Sequence, residues 1–267
     1  MPGGPETRPL ASGTRRLAPI LVVEEVCKSF GSLAAVDRVS FHIEAGMVFG
    51  IAGPNGAGKT TLFNLISGVP WGPDRGAITF HGEAIAGLPG HQICRRGIAR
   101  TFQKEAAFHT LTVVDNVRIA AVYGCAGGTD RSVEDEVDLQ LDAFELAPFR
   151  DATAGTLPLF AKKRLMLASA LATRPTLLLL DEPASGLNTL EQAEMDTIIR
   201  RLRVTGTTIL LIEHVLPLLM AVSDRVMIMN QGRRLVEGTP DAVVADPQVV
   251  EAYLGERWRS TDHAARR

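Results

Sequence analysis

A glycine-rich segment limits the folds open to this chain more than any other part of its sequence. Gly53–Thr61 reads GPNGAGKTT, which fits the pattern glycine, four residues and Gly-Lys-Ser/Thr of the phosphate-binding loop of nucleotide hydrolases. The apolar run before it predicts a short strand at Met47–Ala52, and TLFNLIS after it predicts a helix start at Thr61–Ser67. The alternative is a glycine-rich turn that merely carries a lysine.

Each position of this loop has a physical role. The glycines let the backbone turn tightly and aim its N–H groups at phosphate oxygens. Lys59 brings a compact cation to the β- and γ-phosphates, and the Thr60 hydroxyl is placed to ligate Mg²⁺. A helix that begins near Lys59 adds its dipole to the anion site. The candidate nucleotide-binding residues of the loop are Gly53, Pro54, Asn55, Gly56, Ala57, Gly58, Lys59, Thr60 and Thr61.

Composition narrows the class of protein. The 267 residues allow one large domain or one domain with inserted subdomains. Hydrophobic residues make up 46% and charged residues 22%, so we expect a globular chain with a substantial core. The net charge of −2 argues against a general nucleic-acid binder. The three cysteines have no CxxC spacing, which fits a reduced cytosolic compartment without structural zinc.

No segment reaches the roughly 18 uninterrupted apolar residues of a membrane span. The best candidate, 207–222, is interrupted by Glu213, His214 and Pro217. The first nineteen residues lack the apolar region of a secretory signal. We predict a flexible N-terminal arm at 1–19, a main domain at 20–255 and a polar C-terminal tail at 256–267.

The rest of the chain alternates between strand and helix patterns. The predicted strands are Ile20–Val26, Val39–Ile43, Ala77–Phe80, Thr176–Leu180, Thr208–Ile212 and Val226–Met229, with a hairpin turn at 230–232. The predicted helices are Thr112–Val122, Ser132–Leu146, Lys162–Thr173 and Leu190–Leu202, and Cys125–Thr129 is a predicted loop. In Ser132–Leu146, one apolar face is predicted from Val133, Val137, Leu141 and Phe144. Together they predict an α/β fold with a parallel core, an antiparallel N-terminal sheet and a helical insertion at about 105–170.

A second motif, after the phosphate loop, is the acidic pair that follows the leucine-rich strand in TLLLLDEP. Asp181, at the carboxyl end of a strand beside the phosphate loop, is placed to hold Mg²⁺ through water. Glu182 follows directly and can orient and deprotonate an attacking water. The alternative for Asp181 is a cap on the following turn.

These motifs, with a lone His214 after TILLIE, resemble the ATP-binding subunit of ABC transporters over about residues 20–255. The resemblance implies a P-loop NTPase fold of the ABC type. It also implies that Phe30 stacks on adenine, that Gln103 touches Mg²⁺ and the lytic water, and that His214 contacts the γ-phosphate. Ser185–Asn188 matches the D-loop of the family, with Asn188 where aspartate is commoner. The implied catalytic set is Glu182, His214 and Gln103, and the implied metal set is Thr60, Gln103 and Asp181.

Taken singly, these family residues carry little information. A lone phenylalanine such as Phe30 is more often core, a lone histidine at a strand end such as His214 is more often a satisfied buried residue, and Gln103 alone indicates nothing. Their order around the phosphate loop reverses that balance. The remaining histidines have no such support and are assigned to surface or packing: His42, His81, His91 and His109.

Finer features narrow the subfamily. GIARTFQ, DEPASGLN, LLIEHVLPLLMAVSDRVMIMNQG and EGTP look like the ATP-binding subunits of branched-chain amino-acid importers. The resemblance implies ATP and Mg²⁺, a second ATPase subunit in a homo- or heterodimer, two membrane permeases and a periplasmic solute-binding protein. It also implies peripheral attachment to the cytoplasmic face of the inner membrane.

The chain departs from the family at one motif. The ABC signature, normally Leu-Ser-Gly-Gly-Gln, is replaced by LPLFA at Leu157–Ala161. In the family this segment binds the γ-phosphate held by the opposite subunit, so losing a charge-assisted hydrogen bond there could cost ~1.5–3 kcal/mol. We expect a heterodimer with one competent and one slow ATP site. The alternative is that backbone N–H groups suffice and both sites work.

The resulting expectation is an ATPase that uses in-line attack of water on the γ-phosphate to energise an importer. Three other functions compete with it. One is a soluble ABC ATPase that acts on DNA or ribosomes, against which the near-neutral charge and single cassette speak. The second is an ATP-binding scaffold with an assembly role, and the third is the ATPase of a lipid or polysaccharide exporter.

Overall fold

The computed structural model describes residues 18–103, 106–124, 131–249 and 251–252. The predicted C-terminal tail, the predicted loop Cys125–Thr129 and nearly all of the N-terminal arm lie outside these ranges. The last residue assigned to the arm, Pro19, is the first residue of a strand. The described residues form two β-sheets with helices packed against them.

The strands of the described residues are numbered in chain order. They are β1 (Pro19–Phe30), β2 (Leu33–Glu44), β3 (Val48–Ala52), β4 (Arg75–Phe80), β5 (Glu83–Ala84), β6 (Ile98–Arg100), β7 (Leu177–Asp181), β8 (Thr208–Ile212), β9 (Arg225–Asn230) and β10 (Arg233–Gly238). Four of them form an antiparallel sheet in the order β2-β1-β4-β5. Alternate residues of β2 are buried at Val39, Phe41 and Ile43, because successive side chains in a strand point to opposite faces.

The other six strands form the main sheet, in the order β10-β9-β3-β8-β7-β6. β6, β7, β8, β3 and β9 run parallel, and β10 returns beside β9 through the tight turn Gln231-Gly232. All residues of β3, β7 and β8 are buried, as expected for parallel strands covered on both faces. The parallel core, the N-terminal antiparallel sheet and the late hairpin predicted from the sequence are therefore confirmed.

The helices of the described residues follow the same order. They are α1 (Lys59–Ser67), α2 (Gly90–Arg95), α3 (Val113–Gly124), α4 (Val133–Ala143), α5 (Leu159–Ala172), α6 (Thr189–Val204), α7 (Leu216–Val222) and α8 (Pro240–Val244). α3, α4 and α5 pack on one another and form the predicted helical insertion. Of the helices in the described ranges, none combines the length and the apolar character needed to cross a bilayer.

Several predicted helix boundaries were wrong by a few residues. α5 begins at Leu159 rather than Lys162, with Pro158 at its N-cap position. α4 ends at Ala143, and Phe144 caps it instead of continuing it. On α4, Val137 and Leu141 are buried as predicted, but Val133 in the first turn is 36% exposed.

The short strand β6 was not predicted. Three residues are too few for a periodic pattern, and its last residue is an arginine. Its pairing with β7 extends the sheet and sets the start of the segment that leads to Gln103.

Candidate nucleotide-binding and catalytic site

Three segments that carry predicted site residues leave the main sheet at the carboxyl ends of its strands. Ile51 of β3 pairs with Ile212 of β8, which in turn pairs with Asp181 of β7. The phosphate loop, the Glu182 turn and the His214 segment begin just beyond these paired positions. The carboxyl ends of neighbouring parallel strands thus gather residues from distant parts of the chain.

The phosphate loop turns at positions that only glycine can occupy. Gly53 has φ +149°, and a Cβ there would lie 2.1 Å from the Met229 carbonyl oxygen. Gly58 has φ +98°, and its Cβ would lie 2.2 Å from the Ala35 carbonyl oxygen. Gly58 caps α1, which begins at Lys59, so the predicted helix start is confirmed.

Lys59 is held inside the loop. Its side chain is buried, and Nζ donates hydrogen bonds to the carbonyl oxygens of Gly53 at 2.7 Å and Pro54 at 2.9 Å. These contacts fix the ammonium at the N-terminal end of α1, where the helix dipole and the charge both favour an anion.

A cleft of about 670 Å³ opens over the loop. It brings together most of the predicted site residues: Phe30, Asn55, Gly56, Ala57, Gly58, Lys59, Thr60, Thr61, Gln103, Glu182 and His214. Gly53, Pro54 and Asp181 do not line it. Gly53 and Pro54 contact Lys59 from behind, and Asp181 is 1% exposed. Phe30 is 40% exposed and therefore not a core residue.

The three predicted catalytic residues meet at one carboxylate. His214 Nε2 lies 2.6 Å from Glu182 Oε1, and Gln103 Nε2 donates to Glu182 Oε2 at 2.7 Å. Glu182 itself is buried, with φ +51°, a backbone conformation that is uncommon outside glycine. The His214 side chain is 43% exposed, so it is not the satisfied buried histidine that was the alternative.

A buried acid beside His214 was missed by the sequence analysis. Glu213 accepts hydrogen bonds from the backbone N–H groups of Ala184, His214 and Val215. Burial raises the pKa of the Glu213 carboxyl, the three N–H donors oppose that shift, and the nearby Glu182 adds to it. An acidic residue directly after a buried apolar strand is the signal that could have identified it.

Asp181 has one paired oxygen and one unpaired oxygen. Oδ2 accepts from Arg100 at 2.8 Å, whereas Oδ1 is buried and has no hydrogen-bond partner among the described residues. A buried carboxylate oxygen normally has a partner. The unpaired Oδ1 therefore fits a ligand to a metal ion or to metal-bound water. Because the carboxylate pairs with Arg100, the alternative of a turn cap is not supported.

The segment that replaces the ABC signature lies at the start of α5, next to the turn after Glu182. Pro158 precedes the helix, and the Phe160 ring is half-buried with the Arg164 guanidinium 4.4 Å from its centroid. A Cβ on Gly186 would lie 3.1 Å from Leu159 Cδ2. Side chains of Leu159 and Phe160 thus fill space that two glycines would leave open.

The assigned surface or packing histidines lie away from this cleft. His42, His81, His91 and His109 are all exposed, and His81 Nε2 lies 3.1 Å from Thr176 Oγ1.

Comparison with protein families and solved structures gives a consistent result. A family model described as ABC transporter matches residues 36–185, and one described as branched-chain amino acid ATP-binding cassette transporter matches residues 233–258. The structure is similar to the ADP conformation of MJ1267, an ATP-binding cassette of an ABC transporter. The TM-score is 0.80 at 30% identity, covering 89% of this chain and 99% of that one.

Two curated relatives cover nearly the whole described chain. The high-affinity branched-chain amino acid transport ATP-binding protein BraF of Pseudomonas aeruginosa is 40% identical in an alignment 252 residues long that covers 89% of this chain and 98% of BraF. The corresponding protein LivG of Salmonella typhimurium is 38% identical over the same length and coverage.

Proposed function

Because this chain belongs to the ATP-binding subunits of ABC transporters and is an ABC-type ATPase, we propose that it energises an importer for branched-chain or other small amino acids or related solutes. The observation that carries the proposal is the Glu182 carboxylate, which contacts both His214 and Gln103 at the rim of the phosphate-loop cleft. The similarity to BraF and LivG supports the solute class. Both relatives are named as transport proteins, which argues against a soluble ATPase or a pure assembly role.

In this proposal each cleft residue has a role toward ATP. Lys59 and the loop N–H groups stabilise negative charge on the β- and γ-phosphates. Phe30 provides an exposed ring against which adenine can stack. Glu182 accepts the proton of the attacking water, and its neighbours His214 and Gln103 hold that carboxylate and sense the γ-phosphate.

Thr60, Asp181 through water, and Gln103 would hold Mg²⁺ with the nucleotide. When bound, Mg²⁺ supplies neutralisation of charge on the β- and γ-phosphate oxygens. The fit rests on the unpaired Oδ1 of Asp181, which lies beneath the cleft at the end of β7.

We infer that the chain works with two permeases and a second ATPase subunit at the cytoplasmic face of the inner membrane, with a solute-binding protein outside. An apolar groove of about 290 Å³ lies between the main sheet and the helical insertion, and it supports this arrangement. Thr101 and Phe102, just before Gln103, line it together with Phe108, Ile119 and Met166. A permease segment seated there would touch the same loop that contacts Glu182.

The replaced signature supports different rates of ATP hydrolysis at the two ATP sites. With Phe160 and Leu159 at the start of α5, this subunit offers its partner a poor phosphate contact, while its own cleft keeps Lys59, Glu182 and His214. We propose a heterodimer in which one site turns over quickly and the other slowly. In the alternative, the backbone N–H groups at the start of α5 suffice to bind the γ-phosphate and both sites work. Restoring the signature residues distinguishes the two cases.

The proposed assembly is tested by affinity capture of the chain from detergent-solubilised membranes of its own cell. We expect two membrane-spanning subunits and a second ATPase to co-purify. Phe108→Glu, which puts a charge in the groove, should release the membrane subunits and leave ATP binding intact. Val204→Glu, at an 85% exposed position on α6, is the matched control. Capture of the chain alone, or no effect of Phe108→Glu, would contradict the proposal.

A further inference from the structure

Arg100 is the last residue of β6, and its guanidinium lies deep in the protein. The side chain is only 5% exposed. Arginine is rarely buried unless its donors find acceptors. Both terminal nitrogens of this guanidinium have acceptors, whereas Nε is buried and has none among the described residues. The hydrogen bonds of this side chain therefore indicate its role in the structure.

The guanidinium joins the three elements that carry the proposed chemistry. One nitrogen donates to Asp181 Oδ2 at 2.8 Å, on β7. Another donates to Asn64 Oδ1 at 2.7 Å and to Ser67 Oγ at 3.0 Å, both on α1, the helix that begins at Lys59. β6 itself continues through Thr101 and Phe102 to Gln103. One planar group thus connects the metal-ligand candidate, the phosphate-loop helix and the Gln103 segment.

Aromatic rings hold the guanidinium in place. Its central carbon lies 5.5 Å from the Phe63 ring centroid and 4.9 Å from that of Phe102. Burial lowers the pKa of Arg100, and the hydrogen bond and charge of Asp181 oppose that shift. An arginine remains charged in such a setting. A lysine has no fork of donors and could not reach α1 and Asp181 in the same geometry.

The orientation of Asp181 follows from this contact. Arg100 occupies Oδ2, and Oδ1 is left as a buried oxygen without a partner among the described residues. A carboxylate held by one oxygen has its other oxygen fixed in direction. Groups that hold a metal ligand from behind commonly set the affinity of the site for its metal.

We propose that Arg100 is a positioning residue for Mg²⁺: it clamps Asp181 to α1 so that the free Asp181 oxygen is presented to the cation that accompanies ATP. This inference rests on the proposed role of Asp181. Arg100 touches neither nucleotide nor water in this scheme and acts only through Asp181 and α1.

The test compares the variants Arg100→Lys, Arg100→Gln and Asp181→Asn with a matched control, Arg174→Lys, each as the full-length chain in the assembled complex. Arg174, just after α5, donates to the buried Glu136 of α4 at 2.7 Å, so its variant disturbs a similar pair whose residues do not line the cleft. Three quantities are measured. The first is the free Mg²⁺ concentration that gives half-maximal ATP hydrolysis at saturating ATP. The second is the kcat at saturating Mg²⁺, and the third is the affinity for a fluorescent ATP analogue in EDTA.

For Arg100→Lys we expect the half-maximal Mg²⁺ concentration to rise about 10- to 100-fold. Its kcat should recover at high Mg²⁺, and its affinity in EDTA should match that of the wild type. Arg100→Gln should shift the Mg²⁺ requirement further, and Arg174→Lys should leave it unchanged. Should Arg100→Gln fail to fold, Ser67→Ala tests the same clamp from the α1 side and should give a smaller shift in the same direction.

An unchanged Mg²⁺ requirement in Arg100→Lys, with only a lower kcat or a lower melting temperature, would overturn the inference and leave Arg100 a structural residue. Asp181→Asn separates this result from failure of the underlying proposal. If Asp181→Asn also leaves the Mg²⁺ requirement unchanged, then Asp181 is not a metal ligand, and both the inference and that part of the proposed function are wrong.

Discussion

At the scale of single residues, two neighbouring acids are buried for different reasons. The Glu182 carboxylate receives its contacts from side chains that face the cleft, His214 and Gln103. The Glu213 carboxylate receives its contacts from backbone N–H groups and ties the His214 segment to Ala184, just after Glu182. In our proposal the first acid takes part in the chemistry, and the second fixes the backbone beside it.

The raised pKa of Glu213 predicts a pH dependence of stability. Burial disfavours the ionised carboxylate in the folded state, so the folded pKa lies above the unfolded value. The stability linked to this group is complete below the unfolded pKa and is lost as pH rises through the folded pKa. Glu213→Gln removes this dependence.

We therefore expect the free energy of unfolding of the wild type, relative to Glu213→Gln, to increase as pH falls from about 7.5 to about 4.5. The total change should be about 1.4 kcal/mol for each unit that separates the folded and unfolded pKa values. Denaturant titrations at several pH values measure it, with Glu194→Gln on the exposed face of α6 as control. A difference that is flat or grows with rising pH would show the assigned pKa direction to be wrong.

At the scale of elements, the site depends on the loops that follow the strands of the main sheet. β3 ends and α1 begins with only the phosphate loop between them, and Gly58 makes the turn at φ +98° against the Ala35 carbonyl oxygen. Gly206, after α6, also has a positive φ of +88°, but a Cβ there would meet nothing within 4 Å. Substituting each glycine by alanine therefore distinguishes the effect of backbone strain, which both positions share, from the effect of displacing the phosphate loop, which only Gly58 would cause.

Gly58→Ala should destabilise the chain by about 2 kcal/mol or more, because strain at positive φ adds to a clash with backbone. It should also weaken ATP binding at least about tenfold, since the loop must shift. Gly206→Ala should cost about 1 kcal/mol and leave ATP affinity unchanged. Thermal unfolding and ATP titration measure both. Equal ATP affinities of the two variants would contradict the assigned role of the loop.

How much the sequence reveals also differs by element. Strands β3, β7 and β8 are continuous apolar runs, and the phosphate loop has a fixed pattern, so both could be predicted. β6 could not, because three residues carry no period. The burial of Arg100 depends on Asp181, which lies 81 positions later in the chain. Family resemblance implied that Gln103, Glu182 and His214 belong to one catalytic set. Their contacts with one another, the contacts of Arg100 and those of Glu213 could be seen only in the fold.

At the scale of the whole molecule, our proposal requires a second ATPase subunit and two permeases in addition to the cleft of this chain. In that proposal the cleft faces a second subunit and the groove beside Phe102 faces a permease, while α5 begins in the altered signature and is itself part of the helical insertion. Lys163 of α5 donates to the Glu182 carbonyl oxygen at 3.4 Å, so the first turns of α5 contact the turn that carries Glu182.

Restoring Ser-Gly-Gly-Gln by Pro158→Ser, Leu159→Gly, Phe160→Gly and Ala161→Gln should raise ATP turnover of the assembled complex. The restored charge-assisted hydrogen bond should bring the slow site up to the rate of the fast one, so two working sites instead of one should raise total turnover about twofold. Steady-state hydrolysis at saturating ATP measures it. Turnover equal to that of the wild-type complex would count against two unequal sites.

The decisive measurement is ATP binding by the full-length chain and ATP hydrolysis by the assembled complex that contains it, wild type beside Glu182→Gln, with Mg²⁺ present. We predict that both proteins bind ATP with similar affinity and that turnover by the variant falls by about 10²–10³-fold, because the proton acceptor is lost while the phosphate cradle is kept. Failure of the wild type to bind ATP, or undiminished hydrolysis by Glu182→Gln, would contradict the assignment of this cleft and this carboxylate.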